Sequence, residues 1–297
     1  MNWLVGLKGK IKHNEPLNNH TSFKIGGRAA ILFEPKDTED LIDCLKKLKK
    51  RKIRYFVIGN GTNVLIGDSG FNGVVIKLSS KFFRKISKNG KIVTAGAGVN
   101  LGDLIKYLSK TKFSGYESLV GIPGSLAGAL VMNAGIIKHK QRKCISDIVY
   151  KVKVLDKNCK VKFLTRRDCG FNYRRSGLGK YIILEAHLKF KKDKDKGFEN
   201  RIKNFLVYRS IHHDYSKPNA GCIFKNPSKQ ISAGKLIEDC GFKGFSIGGA
   251  MVSKRHANFI LNFNRATAND VIKLINRIKR RVKDKFGIKL KEEIKIV

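Results

Sequence analysis

An α+β fold with at least two lobes is what this sequence predicts, and three observations carry the expectation. Strand-like and helix-like stretches alternate along the chain without an internal repeat. A lysine-rich stretch at 191–197 interrupts that alternation and reads as a linker. The length, 297 residues with 42% hydrophobic content, is enough to bury a large core and suits two domains or one domain with subdomains.

The first helix is read in DTEDLIDCLKKLKKRK, where Asp37 is an N-cap and Leu41, Leu45 and Leu48 share one face. The strand RYFVIG follows; VVIKL and KIVTAGAG read as further strands, and NLGDLIKYLSK as a helix between loops. IVYKVKVLD, KVKFLT and YIILEAHLKF alternate or run apolar, as strands of a second sheet would. Beyond the linker come a polar helix at 198–212, a helix in SAGKLIEDCG, strands around GAMVS and NFILNF, and a long helix opened by Thr267. Val271, Ile275, Ile278 and Val282 stripe that helix, Gly287 ends it, and LKEEIKIV is expected to finish the chain as a strand.

Charge is the loudest compositional feature, with 62 Lys+Arg against 23 Asp+Glu for a formal net charge of +39. A nucleic-acid-binding or scaffold protein is the reflex reading. Against it, the lysines are spread over the whole length, without the aromatic interleaving of RNA-recognition modules and without helix-turn-helix or finger spacing. The charge is therefore read as compositional drift, and no nucleic-acid partner is expected. The opening MNWLVGLKGKIKHNEPL holds only WLVG as an apolar run, too short for a signal peptide or a membrane span, so a cytoplasmic protein without membrane insertion is expected. Cys44, Cys144, Cys159, Cys169, Cys222 and Cys240 form no CxxC pair, which indicates neither a metal site nor a disulfide framework. Free thiols of this kind are by default small buried apolar groups.

Three Gly-rich segments could hold phosphate. GAGVNLG follows a strand and precedes a helix, like the dinucleotide fingerprint, but its third glycine, Gly102, comes one residue late. GNGTN comprises Gly59, Asn60, Gly61, Thr62 and Asn63; it also follows a strand, lacks the Lys-Ser/Thr pair of a P-loop, and reads equally as a tight turn. In GIPGSLAGALVMNAG, residues 121–135, the small residues Gly124, Ser125, Ala127, Gly128 and Ala129 would let a ligand approach the backbone and leave N–H groups for diphosphate oxygens. A Gly/Ala-rich helix packed in a core is the competing reading. NAGCIFKNP sets Cys222 in a Gly-containing loop, where a thiol serves as nucleophile, metal ligand, core filler or proton donor.

Taken in order, HTSFKIGGRA, VIGNGTNVLI, GIPGSLAGALVMNAG, CGFNYRRS, NAGCIFKNP, AGKLIEDCGFKG, IGGAMVSKRHANFILN and LKEEIKIV resemble the UDP-N-acetylenolpyruvoylglucosamine reductase family, the MurB flavoenzymes of peptidoglycan synthesis, nearly end to end. The resemblance implies an FAD-binding fold of the vanillyl-alcohol-oxidase/PCMH type, with subdomains at 1–78 and 79–202, followed by a smaller α+β substrate-binding domain at 203–297. It implies noncovalent FAD, with Gly59, Asn60, Gly61, Thr62, Asn63, Gly121, Ile122, Pro123, Gly124, Ser125 and Gly128 as cofactor-binding residues. NADPH is then the hydride donor and the enolpyruvyl ether of UDP-N-acetylglucosamine the acceptor, giving UDP-N-acetylmuramate. Hydride adds to the terminal vinyl carbon, so negative charge develops as an enolate that needs a cation, hydrogen-bond donors and an acid.

The same resemblance assigns those roles. Arg174 in NYRRS matches the family's enolate-stabilising arginine, with Arg175 as its neighbour. Glu293 in LKEEIKIV matches an active-site glutamate, expected to be buried and protonated, while Glu292 falls on the other side of the strand and is expected to be solvated. Cys222 takes the position of the proton-donating serine; a thiol of ordinary pKa, about 8.5, is mostly protonated at neutral pH and a stronger acid than a hydroxyl. A nucleophilic role would want a His base, for which the chain offers no motif. Asn226 matches a contact to the substrate's nucleotide half. The chain departs from the pattern in the longer, basic IIKHKQRKCISD, in Ala127 for a common glycine, and in His212 and His213 where the family often has Lys/Thr-Gln. Its length suits the shorter of the family's two architectural types. Another FAD oxidoreductase of the same fold is the rival, which YRRS, GCIFKNP and the C-terminal Glu disfavour.

Overall fold

The computed structural model describes residues 2–111, 113–138, 141–192 and 198–297. The chain runs β1 (Lys10–Pro16), β2 (Arg28–Glu34), α1 (Thr38–Lys50), β3 (Tyr55–Ile58), β4 (Val64–Leu65), β5 (Phe71–Lys77), β6 (Ile86–Asn89), β7 (Ile92–Gly96), α2 (Leu101–Ser109), β8 (Phe113–Ser114) and α3 (Leu126–Met132). It continues through β9 (Gly135–Lys138), β10 (Gln141–Cys144), β11 (Val149–Leu155), β12 (Val161–Thr165), β13 (Ile182–Lys189), β14 (Lys191–Lys192) and α4 (Phe198–His212). The last part holds β15 (Asn219–Cys222), α5 (Ala233–Asp239), β16 (Ser246–Ile247), β17 (Ala250–Val252), β18 (Phe259–Asn262), α6 (Ala268–Phe286) and β19 (Lys295–Ile296). This is the α+β class expected. No helix among the described residues is long and apolar enough to cross a membrane.

Two compact units divide the chain, and it crosses between them within β1, β2 and β5, in the loop after Asn60 and within α4. The first comprises Met1–His13, Ile31–Asn60 and Gly73–Val207. Its sheets have the orders β1-β2-β5-β3 and β12-β11-β13-β7-β6, the second antiparallel throughout. α1 forms as its sequence demands: the Asp37 side chain accepts the Asp40 N–H at 3.0 Å, and Leu41, Leu45 and Leu48 are buried. Each such leucine removed from water stabilises the unit by about 1.5–3 kcal/mol. The basic segment after Gly135 forms an antiparallel hairpin, β9 with β10, in register Gly135↔Cys144. Residues 139 and 140 of that segment, and 193–197 of the linker, lie outside the described residues.

The second unit comprises Asn14–Ala30, Gly61–Asn72 and Tyr208–Val297. Its antiparallel sheet has the order β15-β18-β17-β16. α6 begins in a capping box, with the Thr267 hydroxyl accepting the Asp270 N–H at 3.1 Å and Asp270 accepting the Thr267 N–H at 3.0 Å. The Asp68 carboxylate takes the next two donors, from Ala268 at 2.7 Å and Asn269 at 3.0 Å. Val271, Ile275, Ile278 and Val282 are buried, and Gly287 ends the helix at φ 70. LKEEIKIV, expected as one strand, is shared between two partners. Glu292 bridges to Phe224, and only Lys295–Ile296 forms a strand, parallel to β4.

Candidate active site

In the first unit the loop after β3 packs against the turn that opens α3. A Cβ on Gly59 would run into Ser125 Oγ, so glycine is what permits the approach. Ser125, 2% exposed, caps α3 by accepting the Gly128 N–H at 3.3 Å. Gly121 and Gly124 hold φ 73 and 130, while Ile122 N–H bonds Leu119 O at 3.1 Å and Leu101 N–H bonds Gly124 O at 2.9 Å. Pro123 is exposed in the same turn. The backbone N–H groups of Gly59, Asn60, Gly124 and Ser125 form no hydrogen bond among the described residues. Donors from two loops, brought together by small residues, suit diphosphate oxygens, and these residues fit a dinucleotide cofactor such as FAD.

Beyond Asn60 the loop belongs to the second unit. There Gly61 (φ 64) accepts the Ser22 N–H at 3.1 Å, Thr62 is half-buried, and Asn63 donates through Nδ2 to Glu293 O at 3.1 Å and accepts the Lys295 N–H at 3.0 Å. Asn63 thus ties the loop to the C-terminal segment.

The expectation of free N–H groups along the whole small-residue run is corrected. Leu126, Ala127 and Ala129 donate to Val99 O (2.8 Å), Ala97 O (3.1 Å) and Ser125 O (2.9 Å), and Gly128 to Ser125 Oγ. The loop at 97–99 takes up the first two donors and Ser125 the other two, so Gly128 contributes space and not an N–H. GAGVNLG is explained as well. A Cβ on Gly96 would meet Phe83 O, and one on Gly98 would meet Leu78 O, so these glycines serve close backbone packing.

Arg174 occupies a tight turn in the first unit, where Asn172 N–H bonds Arg175 O at 2.9 Å. Its φ of 51 is left-handed, a conformation that costs a side-chain-bearing residue on the order of 1 kcal/mol and recurs at functional positions. The half-buried guanidinium donates from Nη1 to Gly135 O at 2.9 Å, whereas Arg175 is exposed.

In the second unit, β15 carries a bulge: its register with β18 shifts between Asn219↔Leu261 and Cys222↔Phe259. Gly221 (φ 76) makes the bulge, and Asn219 Oδ1 accepts its N–H at 3.0 Å. Such a bulge re-aims the residue that follows, here the half-buried Cys222. Glu293 N–H bonds Ile223 O at 2.7 Å and Lys225 N–H bonds Lys291 O at 2.9 Å, which sets the backbone of Glu293 beside that of the cysteine segment. Glu293 itself is half-buried, which corrects the expectation of a buried carboxyl. Asn226 Oδ1 accepts the Ala233 N–H at 3.1 Å and so fixes the loop to the start of α5.

Sequence reasoning missed Asn258. This residue, 3% exposed, acts as a strand partner for Phe224: Oδ1 accepts Phe224 N–H at 2.9 Å, and Nδ2 donates to Phe224 O at 2.8 Å. Its own carbonyl accepts the Ile223 N–H at 2.9 Å. An Asn directly before the apolar run FILN was the available signal. Asn258→Ala would leave both Phe224 backbone groups unsatisfied, and a loss of about 2–4 kcal/mol is expected. A fall in the urea midpoint at unchanged slope checks it; an unchanged midpoint would remove the clamp from this account.

Glu292, expected to be solvated, is instead half-buried and paired with Lys279 at 2.7 Å. Burial works against its charge, but the Lys279 hydrogen bond, its own backbone N–H and the Lys279 charge together outweigh that and hold its carboxyl below the usual range. The His213 ring lies 5.3 Å from Phe259 and 6.2 Å from His256, with Nδ1 3.1 Å from Tyr215 Oη. The side chain of His212 lies outside the described residues. Burial pushes the Cys44 thiol up to about 12, with Asp40 adding, and the Cys169 thiol up to about 11, with Asp168 adding. Both are fillers of the core.

Residues 29–165 match the family model described as FAD binding domain, and residues 213–297 the one described as UDP-N-acetylenolpyruvoylglucosamine reductase, C-terminal domain. The UDP-N-acetylenolpyruvoylglucosamine reductase of Caldanaerobacter subterraneus subsp. tengcongensis is 41% identical over 292 residues, spanning 98% of this chain and 94% of the relative. That of Bacillus subtilis is 38% identical over 292 residues, spanning 97% and 94%. The crystal structure of UDP-N-acetylenolpyruvylglucosamine reductase (MurB) from Thermus caldophilus matches with a TM-score of 0.80 at 31% identity, covering 97% of this chain and 98% of that one. Agreement of this extent, in sequence and in fold, leaves no part of either unit to another lineage: the chain belongs to the UDP-N-acetylenolpyruvoylglucosamine reductase (MurB) family.

Proposed function

We infer that this chain is an FAD-containing, NADPH-dependent oxidoreductase that converts the enolpyruvyl ether of UDP-N-acetylglucosamine to UDP-N-acetylmuramate, a step of peptidoglycan precursor synthesis. The observation that carries the reading is 41% identity to a named reductase over 98% of the chain. FAD, when bound, would supply the hydride relay from NADPH to the terminal vinyl carbon of the substrate. The protein supplies placement, charge and one proton.

In this reading the N–H groups of Gly59, Asn60, Gly124 and Ser125 receive the cofactor's diphosphate, and Gly61, Thr62, Asn63, Gly121, Ile122, Pro123 and Gly128 shape the walls. Arg174 stabilises the enolate, because a fixed guanidinium suits charge that develops on carboxylate-type oxygens. Cys222 protonates the inner carbon, Glu293 joins the site from the backbone segment paired with that of the cysteine, and Asn226 holds the nucleotide half. The division at 1–78, 79–202 and 203–297 assigns cofactor binding to the first two parts and substrate binding to the third; a single FAD-binding model over 29–165 and a C-terminal model over 213–297 support the assignment of the two roles, not the cut at 78. The net charge of +39 is background to this chemistry, since cations recur from α1 to α6, and the enzyme works in the cytoplasm without a nucleic-acid partner.

Anaerobic mixing tests the function directly. NADPH should bleach the flavin absorbance, and the enolpyruvyl substrate should restore it; a flavin that NADPH bleaches but the substrate cannot restore would point to another oxidoreductase. The cofactor is expected to be noncovalent, so acid precipitation should leave all the yellow colour in the supernatant. Colour retained in the pellet would show a covalent link.

A further inference from the structure

The turn that holds Arg174 is not free-standing: it is tied at three alternate residues to the C-terminal end of α3 and the first residue of β9. Ser176 Oγ donates to Val131 O at 3.0 Å, Asn133 Nδ2 donates to Asn172 O at 3.0 Å, and Arg174 Nη1 donates to Gly135 O at 2.9 Å. The middle tie is the unusual one. Asn133 is 3% exposed, stands at φ 45 as the left-handed C-cap of α3, and its Oδ1 accepts the Ser146 N–H at 3.3 Å. One buried amide therefore links two loops that are distant in sequence, and neither bond is part of a helix or sheet ladder.

We propose that Asn133 is a positioning residue for Arg174, and that the end of α3 is the platform from which the guanidinium is aimed. The proposal rests on the role given to Arg174 above. An arginine side chain has many rotamers, and a left-handed turn on its own would not select among them. Fixing the backbone on either side of Arg174, at Asn172 and Ser176, leaves the bond to Gly135 to choose the rotamer, with the remaining guanidinium donors directed by the plane of the fork. α3 has seven residues, a rise of roughly 10 Å, and its other end is the Ser125 turn against Gly59. A single short rigid element thus sets both the cofactor cradle and the turn that carries the cation.

Asn133→Gly tests this, because glycine keeps the left-handed backbone and loses both side-chain bonds. NADPH should bleach the flavin at close to the native rate, while recovery on adding the enolpyruvyl substrate slows about 10- to 100-fold, the scale of a misplaced catalytic group. Asn133→Asp should behave alike, since it keeps an acceptor for Ser146 but presents an oxygen to Asn172 O. Amide hydrogen exchange should rise over 172–176 and stay unchanged in the β12-β11-β13-β7-β6 sheet, with flavin present or removed. In an Arg174→Ala background Asn133→Gly should add no further loss. Ser176→Ala, which removes the Val131 tie and with it the acceptor for the Leu178 N–H at 3.3 Å, should show the same imbalance between half-reactions to a smaller degree and stands in if Asn133→Gly does not fold. Equal slowing of both half-reactions, or a full additional loss in the Arg174→Ala background, would overturn the proposal. An unchanged recovery rate in Arg174→Ala alone would instead remove the reading on which it rests.

Discussion

Cys222→Ala is expected to leave the bleaching of flavin by NADPH intact and to slow its recovery by the substrate about 10²- to 10⁴-fold, the usual scale of general acid catalysis. The bulge at Gly221 and the two hydrogen bonds between the Asn258 amide and the Phe224 backbone hold the residues on both sides of Cys222 in one geometry. The thiol is also only half-buried, unlike Cys44 and Cys169, so it is accessible where those are not. Cys222→Ser should keep substantial activity, because a hydroxyl at the same place can still give a proton. A pH profile separates the two. The protonated thiol is the active form, so turnover of the native enzyme should fall as pH rises through its ionisation, and the serine variant should lose that alkaline limb. Equal loss of both half-reactions in Cys222→Ala would return this residue to the core.

Much of this is legible in the sequence, and what is legible there is local. Asp37 and Thr267 announce helix starts because a short side chain satisfies an N–H three residues ahead, and the stripe from Val271 to Val282 needs only a helical period. The C-terminal strand was misjudged for the opposite reason. Residues 291–293 pair with 223–225 and residues 295–296 with β4, and no period in LKEEIKIV states that its partners change. Gly96 and Gly98 could equally have served a phosphate until Leu78 and Phe83 were seen against them. Asn258 looked like any polar residue before a strand, because its function exists only once Phe224 lies beside it. The cofactor loops were readable as glycine patterns, yet which N–H groups stay free depended on where α3 begins.

Arg174→Ala is expected to cost about 10²- to 10³-fold in flavin recovery by the substrate, or about 2.7–4 kcal/mol of transition-state stabilisation, with NADPH bleaching unaffected. Two neighbouring arginines made this assignment ambiguous in the sequence, and the backbone separates them. Arg174 sits at φ 51 with its guanidinium bonded to Gly135 O, whereas Arg175 is exposed. A lysine at 174 would keep the charge but not the planar fork, and it could not bond Gly135 O and present further donors in one fixed plane. Arg174→Lys should therefore recover little of the loss. Arg175→Ala serves as the control and should stay within about two-fold of the native rate, as exposed substitutions do. The loss should appear in kcat and in kcat/KM alike, because the charge that Arg174 meets is fully developed only as hydride reaches the vinyl carbon. A variant that raised KM alone would make Arg174 a binding residue for the substrate carboxylate, and a loss found in Arg175→Ala instead would move the enolate-stabilising role one residue along the turn.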